Sequence, residues 1–439
     1  MIKNCYYDSI NKSIKYFCKR LFMKKNKLLI ISLFALLSVC SCSNNNNNTS
    51  GTSSLEEISI YSSLGTSGSL ESTPLPEKTL DEEKVNQIIS GEFEVLLQSI
   101  KTEDEVVLHT EKQKSYLHGD YNEVLKYAHG DGEYSRPLPV TFSWECNASE
   151  DNVINYYTLN VSENSDMSSP WTFISEATSY DVYNLKIGTT YYWNVETYIG
   201  DLHFTSETNS FKTEDESIRN IFIEGVANCR DIGGWKIGTN QRVKQGLIYR
   251  TGRLNKNYMN LVSRQITLEG RKMMVNYLGI QTEIDLRRTD NNEVGSLTSS
   301  PLDTSVNYYQ CPMVYESNKN TLVNNSPMIR EIFKLLSNED NYPLFYHCSI
   351  GTDRTGLLTY LINGLLGVSE DDLNRDYLFS NFGSIGGSRE LSDIEEDYIP
   401  TIKEQEGNSL SQKIENYLLK IGVTSEEISS IKTLMIETI

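Results

Sequence analysis

The sequence predicts a multidomain protein in which a β-sandwich precedes an α/β domain with a central sheet flanked by helices. Three observations point there. The chain has 439 residues, more than one hydrophobic core ordinarily serves. Between Tyr134 and Thr213, short runs of aromatic and β-branched residues alternate with polar ones at period two. After Asp215, strand-like and helix-like runs follow one another in turn.

The sandwich strands are read at 140–144, 156–161, 180–183, 191–197 and 210–213, separated by Asn, Ser and Gly. In the α/β part, 247–249, 282–286 and 344–346 read as strands, and 273–278, 329–336 and 356–366 as helices. Ligands of such folds bind beyond the carboxyl ends of the strands.

The N-terminus reads as an address. Lys24, Lys25 and Lys27 precede an apolar run over 28–39, shorter than the roughly 20 residues that cross a bilayer. That run leads to Ser41 and Cys42, so residues 1–42 are expected to be an export signal with Cys42 as the lipidated residue, and Met23 is a second candidate start. A lipoprotein on the outer face of the cell membrane is the expected location, with plain secretion as the alternative. Residues 43–79, rich in Asn, Ser, Thr and Gly, have too little apolar content to repay ordering and are expected to be a tether. Residues 80–133 carry one helix-like pattern (Val85, Ile88, Ile89, Phe93, Leu96) and no legible function. The remaining divisions fall at 134–213 and 214–439.

A net charge of −19 opposes broad binding to nucleic acid, which carries the same sign. No nucleic-acid partner is therefore expected. The eight cysteines show no paired C-x-x-C spacing, so no structural metal is expected; no cofactor is expected either.

The chemistry concentrates at His347-Cys348-Ser349-Ile350-Gly351-Thr352-Asp353-Arg354-Thr355-Gly356, between an apolar strand and an apolar helix. Backbone N–H groups of residues 349–354 can converge on one point there, helped by Gly351 and by the positive end of the helix dipole. That point suits an anion. Arg354 offers a planar fork for two phosphate oxygens, and the same field favours Cys348 as thiolate, the nucleophilic form. Thr355 can donate a hydrogen bond to the sulfur, and His347 is expected to orient the loop. A buried cysteine at a strand end can also be a small core residue, but Cys-x5-Arg-Thr-Gly in this setting points to catalysis. The segment lacks the Gly-Lys-Ser/Thr ending of a nucleotide-binding P-loop.

This segment resembles the signature of protein tyrosine phosphatases. Asn228-Cys-Arg-Asp-Ile-Gly-Gly234, Gly246-Leu-Ile-Tyr-Arg-Thr-Gly-Arg-Leu254, and Gly279-Ile-Gln-Thr-Glu-Ile-Asp-Leu-Arg287 with Glu293 narrow the resemblance to the bacterial tyrosine-phosphatase family. It covers 217–439 and implies hydrolysis of phosphotyrosine, with phosphoserine, phosphothreonine or phosphoinositides as other substrates of the family. Thr352 stands where phosphoinositide-active members carry lysine, and Cys229 replaces an aromatic residue. No Trp-Pro-Asp loop is present, so the acid candidates are Asp353, then Asp285, then Asp231. Asn228, Arg230, Asp231, Arg250 and Arg287 are expected to support the loop or the substrate.

The earlier module resembles a fibronectin type III domain, on Trp144, Leu185 before Gly188-Thr-Thr, Tyr192-Trp193-Asn-Val, and Phe211-Lys-Thr213. It is expected to be a spacer or to bind a protein or glycan. A surface binding protein with a residual anion pocket is the competing class.

Overall fold

The computed structural model describes residues 78–128, 132–255, 265–289, 293, 297–315 and 320–439. The signal, the lipidation site at Cys42 and nearly all of the tether lie outside them. Helix α1 (Glu82–Ile89) opens the described chain, capped by the Asp81 carboxylate, which accepts the Lys84 N–H. Strands β1 (Leu97–Ile100) and β2 (Glu105–Val106) and helix α2 (Glu111–Leu117) follow. Seven strands come next: β3 (Val140–Cys146), β4 (Tyr157–Ser162), β5 (Trp171–Ser175), β6 (Ser179–Val182), β7 (Thr190–Ile199), β8 (Leu202–Thr205) and β9 (Asn209–Thr213).

These strands form two sheets, β1-β3-β6 and β2-β9-β7-β4-β5, with β8 paired to β7. Both contribute to one core, in which Phe142 and Trp144 of β3 meet Tyr157, Trp193 and Phe211 of the other sheet. The strict alternation of buried and exposed residues along β3 places every second side chain there. All five expected strands form. Strands β5 and β8 escaped the sequence, and the reason is visible in β8: its residues Leu202–Thr205 bury almost nothing and therefore show no apolar period. Strand β8 is held instead by its ladder to β7 across a turn in which Gly200 takes φ +56°.

The segment 80–133 belongs to two cores. Strand β1 pairs with β3, β2 pairs with β9, and Ile88 enters the two-sheet core. Farther on, Tyr116, Leu117, Val124 and Tyr127 enter the core of the C-terminal domain, where Tyr116 packs against Phe379 and Phe382. A segment shared between cores has too few apolar residues on either side to announce itself as a domain.

In the C-terminal domain, β10 (Arg230–Asp231), β11 (Lys236–Ile237), β12 (Gln241–Val243) and β13 (Ile248–Thr251) precede a short helix α3 (Leu268–Lys272) that widens into one looser turn over Met273–Tyr277. Strands β14 (Thr282–Asp285) and β15 (Asn307–Gln310), helix α4 (Thr321–Leu336), strand β16 (Leu344–His347) and helix α5 (Asp353–Leu366) come next. The sheet order is β10-β13-β16-β14-β15, parallel except at the β10 edge. Strands β13, β14 and β16 are buried along their whole length, as expected for a parallel sheet covered on both faces. Helix α5 is buried from Arg354 to Leu366 and stops at Gly367, whose φ of +103° turns the chain away. The rest is helical: α6 (Glu370–Phe379), α7 (Ser392–Glu395), α8 (Ile399–Lys403), α9 (Leu410–Lys420) and α10 (Ser425–Met435). The chain ends on β17 (Ile436–Thr438), which pairs with β12. Among the described residues, no helix is long and apolar enough to cross a membrane.

Candidate active site

Parallel pairing in register sets Thr251 of β13 and Asp285 of β14 beside His347 of β16, so three strands end together where the loop to α5 begins. The loop's carbonyls are held one by one. The Ser349 carbonyl accepts from Arg253 Nη1 (3.0 Å), and the Ile350 carbonyl from Asn228 Nδ2 (3.2 Å). The Gly351 carbonyl accepts from Asn228 Nδ2 (2.9 Å) and from Arg250 Nη2 (2.7 Å). Fixing the carbonyls this way leaves the opposite edge of each peptide for something else. Among the described residues, the backbone N–H groups of residues 349–352 donate to no protein acceptor. A row of unspent donors ahead of a helix N-terminus is an anion cradle.

Gly351 makes the loop possible. Its φ is +74°, and a Cβ there would sit 2.6 Å from the Thr251 carbonyl oxygen and 2.8 Å from the Gly252 nitrogen.

Cys348 lies at the base of this loop and is 2% exposed. Arg354, in the first turn of α5, forms a two-pronged pair with Glu293, Nη1 to Oε2 at 2.8 Å and Nη2 to Oε1 at 2.9 Å. Glu293 also accepts from Ser349 Oγ (3.0 Å) and the Arg288 N–H (2.9 Å). Burial opposes its charge, but the Arg354 hydrogen bonds prevail and hold its carboxyl at about 2. Burial likewise opposes the Arg354 cation, while Glu293 and the nearby Cys348 sulfur favour it, with the net shift upward. The guanidinium is therefore aimed by a carboxylate and stays within electrostatic reach of the sulfur.

The acid candidates differ sharply in surroundings. Asp285 is fully buried, bound by Arg287 through Nε (2.9 Å) and Nη2 (2.7 Å) and by the Tyr308 hydroxyl (2.9 Å). Despite burial, the His347 and Arg287 charges hold its carboxyl at about 2. At its strand end it anchors an ion pair with Arg287. Asp231 accepts from Arg219 Nη1 (2.7 Å) and from the N–H groups of Gly233 (2.8 Å) and Gly246 (2.6 Å), which fixes a turn. Asp353 stays on the loop, partly exposed, and is paired with Arg389.

Supporting residues fall into a network. Arg230 binds Asp376 (Nε to Oδ1, 2.9 Å) and Asn228 Oδ1 (2.7 Å), while Arg250 binds Asp376 Oδ2 (2.6 Å) as well as the loop. Arg287 reaches Asn255 Oδ1 and the Glu293 carbonyl, which links Asp285 to the Arg354 clamp. His347 is fully buried between Glu283 Oε1 (2.9 Å) and the Cys348 carbonyl (3.1 Å), a position that orients the loop. The Thr355 hydroxyl is buried without a hydrogen-bond partner, so its expected bond to the sulfur is not made in this conformation. Cys229 packs beside Val226 and Tyr249 in a separate cluster from the one holding Cys348.

Sequence reasoning missed Asp376 and Arg389. Asp376 lies on α6 inside an ordinary helical pattern, and only folding sets it between Arg230 and Arg250. Glu283, Asp285 and His347 bring three ligand atoms within 4.8 Å of one another. All three are already engaged within the protein: Glu283 accepts from His347 and the Ser300 hydroxyl (2.5 Å), Asp285 accepts from Arg287, and the His347 ring faces Glu283 and the Cys348 carbonyl. The group reads as a hydrogen-bonded network.

Residues 221–437 match the model of the tyrosine phosphatase family. This C-terminal domain is accordingly a phosphatase-type hydrolase. Among solved structures, the core catalytic domain of the PP-IP phosphatase SIW14 from S. cerevisiae in complex with citrate is 18% identical, with 44% of this chain and 91% of that chain covered and a TM-score of 0.25. A structure of the Siw14 catalytic core is 17% identical, covering 50% and 95%, with a TM-score of 0.26. No curated protein matches.

Proposed function

We propose that the domain hydrolyses phosphotyrosine and related phosphomonoesters through a phosphocysteine intermediate on Cys348. The observation that carries this reading is the loop whose carbonyls are tied outward while the N–H groups of residues 349–352 stay unspent above a cysteine and beside the Arg354–Glu293 clamp. A phosphate oxygen bound there meets donors fixed before it arrives. The Cys348 sulfur attacks phosphorus, the bond to the ester oxygen breaks, and that oxygen takes a proton from Asp353. Water then attacks phosphorus, the S–P bond breaks, and the water proton returns to Asp353, releasing phosphate. To Thr355, whose hydroxyl has no hydrogen-bond partner in this conformation, we assign the stabilisation of the departing thiolate once the loop is occupied.

Dual-specificity or phosphoinositide hydrolysis is a second reading, favoured by one contact: Arg389 Nη2 lies 3.3 Å from Thr352 Oγ1 and so supplies a cation beside the loop where Thr352 has none. The two-sheet unit is read as a fibronectin type III-like sandwich that spaces the enzyme or holds a protein or glycan. Export and lipid anchoring through Cys42 would place it on the outer cell surface, facing external phosphoesters.

The test is hydrolysis of para-nitrophenyl phosphate, phosphopeptides and phosphoinositides by the full chain, with Cys348→Ser alongside. Wild-type turnover abolished in Cys348→Ser is the expected result. Equal inertness of both proteins at mildly acidic and neutral pH would leave the anion pocket as a binding site and sink the enzymatic reading.

A further inference from the structure

The loop's outer support is itself supported from a part of the chain that the family segment does not include. We infer that Glu133, 88 residues before the matched segment begins at 221, is a positioning residue for the phosphate loop. The inference rests on the phosphatase reading of the Cys348 loop.

A single carboxylate oxygen, Glu133 Oε2, accepts the backbone N–H of Asn228 (3.1 Å) and that of Ser384 (3.0 Å). The first bond matters because Asn228 carries the loop: its Nδ2 holds the carbonyls of both Ile350 and Gly351. Asn228 does so from a left-handed backbone conformation, φ +55°, that non-glycine residues hold only when their surroundings over-determine it. Glu133 supplies one such constraint, and Gly383 supplies another, since a Cβ on Gly383 would come 2.9 Å from the Asn228 Cβ. The second bond ties down the start of the segment that ends in Arg389, the partner of Asp353. One side chain thus fixes both the loop's brace and the arm that reaches the proposed acid.

Glu133 is itself fixed. Its Oε1 accepts from the Ser135 N–H (3.3 Å) and the Ser135 hydroxyl. The flanking Tyr134 N–H donates to the Phe382 carbonyl (2.7 Å), and the buried Gln113 of α2 donates to the carbonyls of Tyr134 and Arg136, each at 2.9 Å. The chain on the carboxyl side of Glu133 is therefore anchored at Tyr134 and Arg136, and a catalytic unit cut at residue 214 would lack it.

The experiment compares wild type, Glu133→Ala and Glu133→Gln in the full chain. Three readouts are kcat/KM for para-nitrophenyl phosphate, tungstate affinity by calorimetry, and the thermal midpoint. Loss of a charge-assisted brace predicts that Glu133→Ala loses about tenfold in kcat/KM and a similar factor in tungstate affinity. Glu133→Gln, which keeps an acceptor oxygen, should recover most of both at an unchanged midpoint. The inference is overturned if Glu133→Ala binds tungstate as wild type does, or if both variants lose activity only in proportion to a fallen midpoint. Tungstate binding reads the loop without turnover, so an inactive wild type that still binds the oxyanion would count against the proposed reaction and not against Glu133.

Discussion

Arg389 grips Asp353 along one edge of its guanidinium, Nε to Oδ1 at 2.7 Å and Nη2 to Oδ2 at 2.9 Å. The same arginine extends to Thr352 Oγ1, so one cation from the segment after α6 closes over the last two residues before Arg354. A carboxylate held by two charge-assisted bonds is a poor proton donor until the arginine lets go. Asn381 holds the Arg389 backbone, its Oδ1 accepting the Arg389 N–H and its Nδ2 donating to the Arg389 carbonyl, each at 2.9 Å, so letting go of Asp353 falls to the arginine side chain.

Asp353→Asn separates the two roles open to this carboxylate. If it protonates the leaving oxygen, turnover of tyrosyl and alkyl phosphates should fall about 100-fold, and that of para-nitrophenyl phosphate, whose leaving group needs little help, far less. Steady-state kinetics with leaving groups of graded basicity measures this. Equal losses across the series would make the Arg389 pair structural.

Glu293→Gln tests the clamp on Arg354. The variant keeps one acceptor but leaves a buried guanidinium short of its counter-charge, and breaking a buried pair costs about 3–5 kcal/mol. Both a lower unfolding midpoint and weaker phosphate inhibition are expected, because the fork that receives phosphate loses its aim. Unchanged phosphate inhibition would mean that Arg354 is aimed by other contacts, such as the Leu286 and Met313 carbonyls.

Much of this was legible in the residues, and the division follows range. Strand β16, the loop and α5 are contiguous in sequence, so their order and the Cys348–Arg354 spacing could be read directly. Asn228 and Arg250 could be named from motifs, but their grip on the Gly351 carbonyl spans more than 100 residues and has no local signal. Asp285 shows the limit from the other side. Its strand-end position could be read from the sequence, and only the fold reveals Arg287 and Tyr308 around it. Glu133 and Asp376 are charged residues in unremarkable stretches, and nothing short of tertiary structure distinguishes them from solvated ones.

Three carboxylates set an acid limit on stability. Burial opposes the charge on each, but His347 and Arg287 hold Asp285 at about 2 against an ordinary 3.8, Arg354 holds Glu293 at about 2 against 4.5, and His109 and Lys114 hold Glu214 at about 2 against 4.5. A folded value below the unfolded one gives stability that is complete above the unfolded value and lost as pH falls toward the folded one. The unfolding midpoint should therefore hold above about pH 5 and fall steadily between about 4.5 and 2. Denaturant titrations at half-unit pH steps would show it, with a shallower fall in Glu214→Gln. A flat profile from pH 5 to 3 would contradict the pairing.

Gly351→Ala and Gly386→Ala form a matched pair, because the two glycines share a left-handed backbone, φ +74° and +72°, and differ in what surrounds them. The conformational cost of a side chain at such a φ is about 1–2 kcal/mol at either site. At Gly351 the new methyl must also displace Thr251 and Gly252 backbone, 2.6 and 2.8 Å away, which would pull the loop from β13 and misalign its N–H groups. At Gly386 it meets open space. Gly351→Ala should therefore lose oxyanion binding and nearly all turnover, while Gly386→Ala should lose stability with turnover within about threefold of wild type. Equal damage from both in a tungstate titration would show that backbone strain, and not the close approach of the loop to Thr251, governs the cradle.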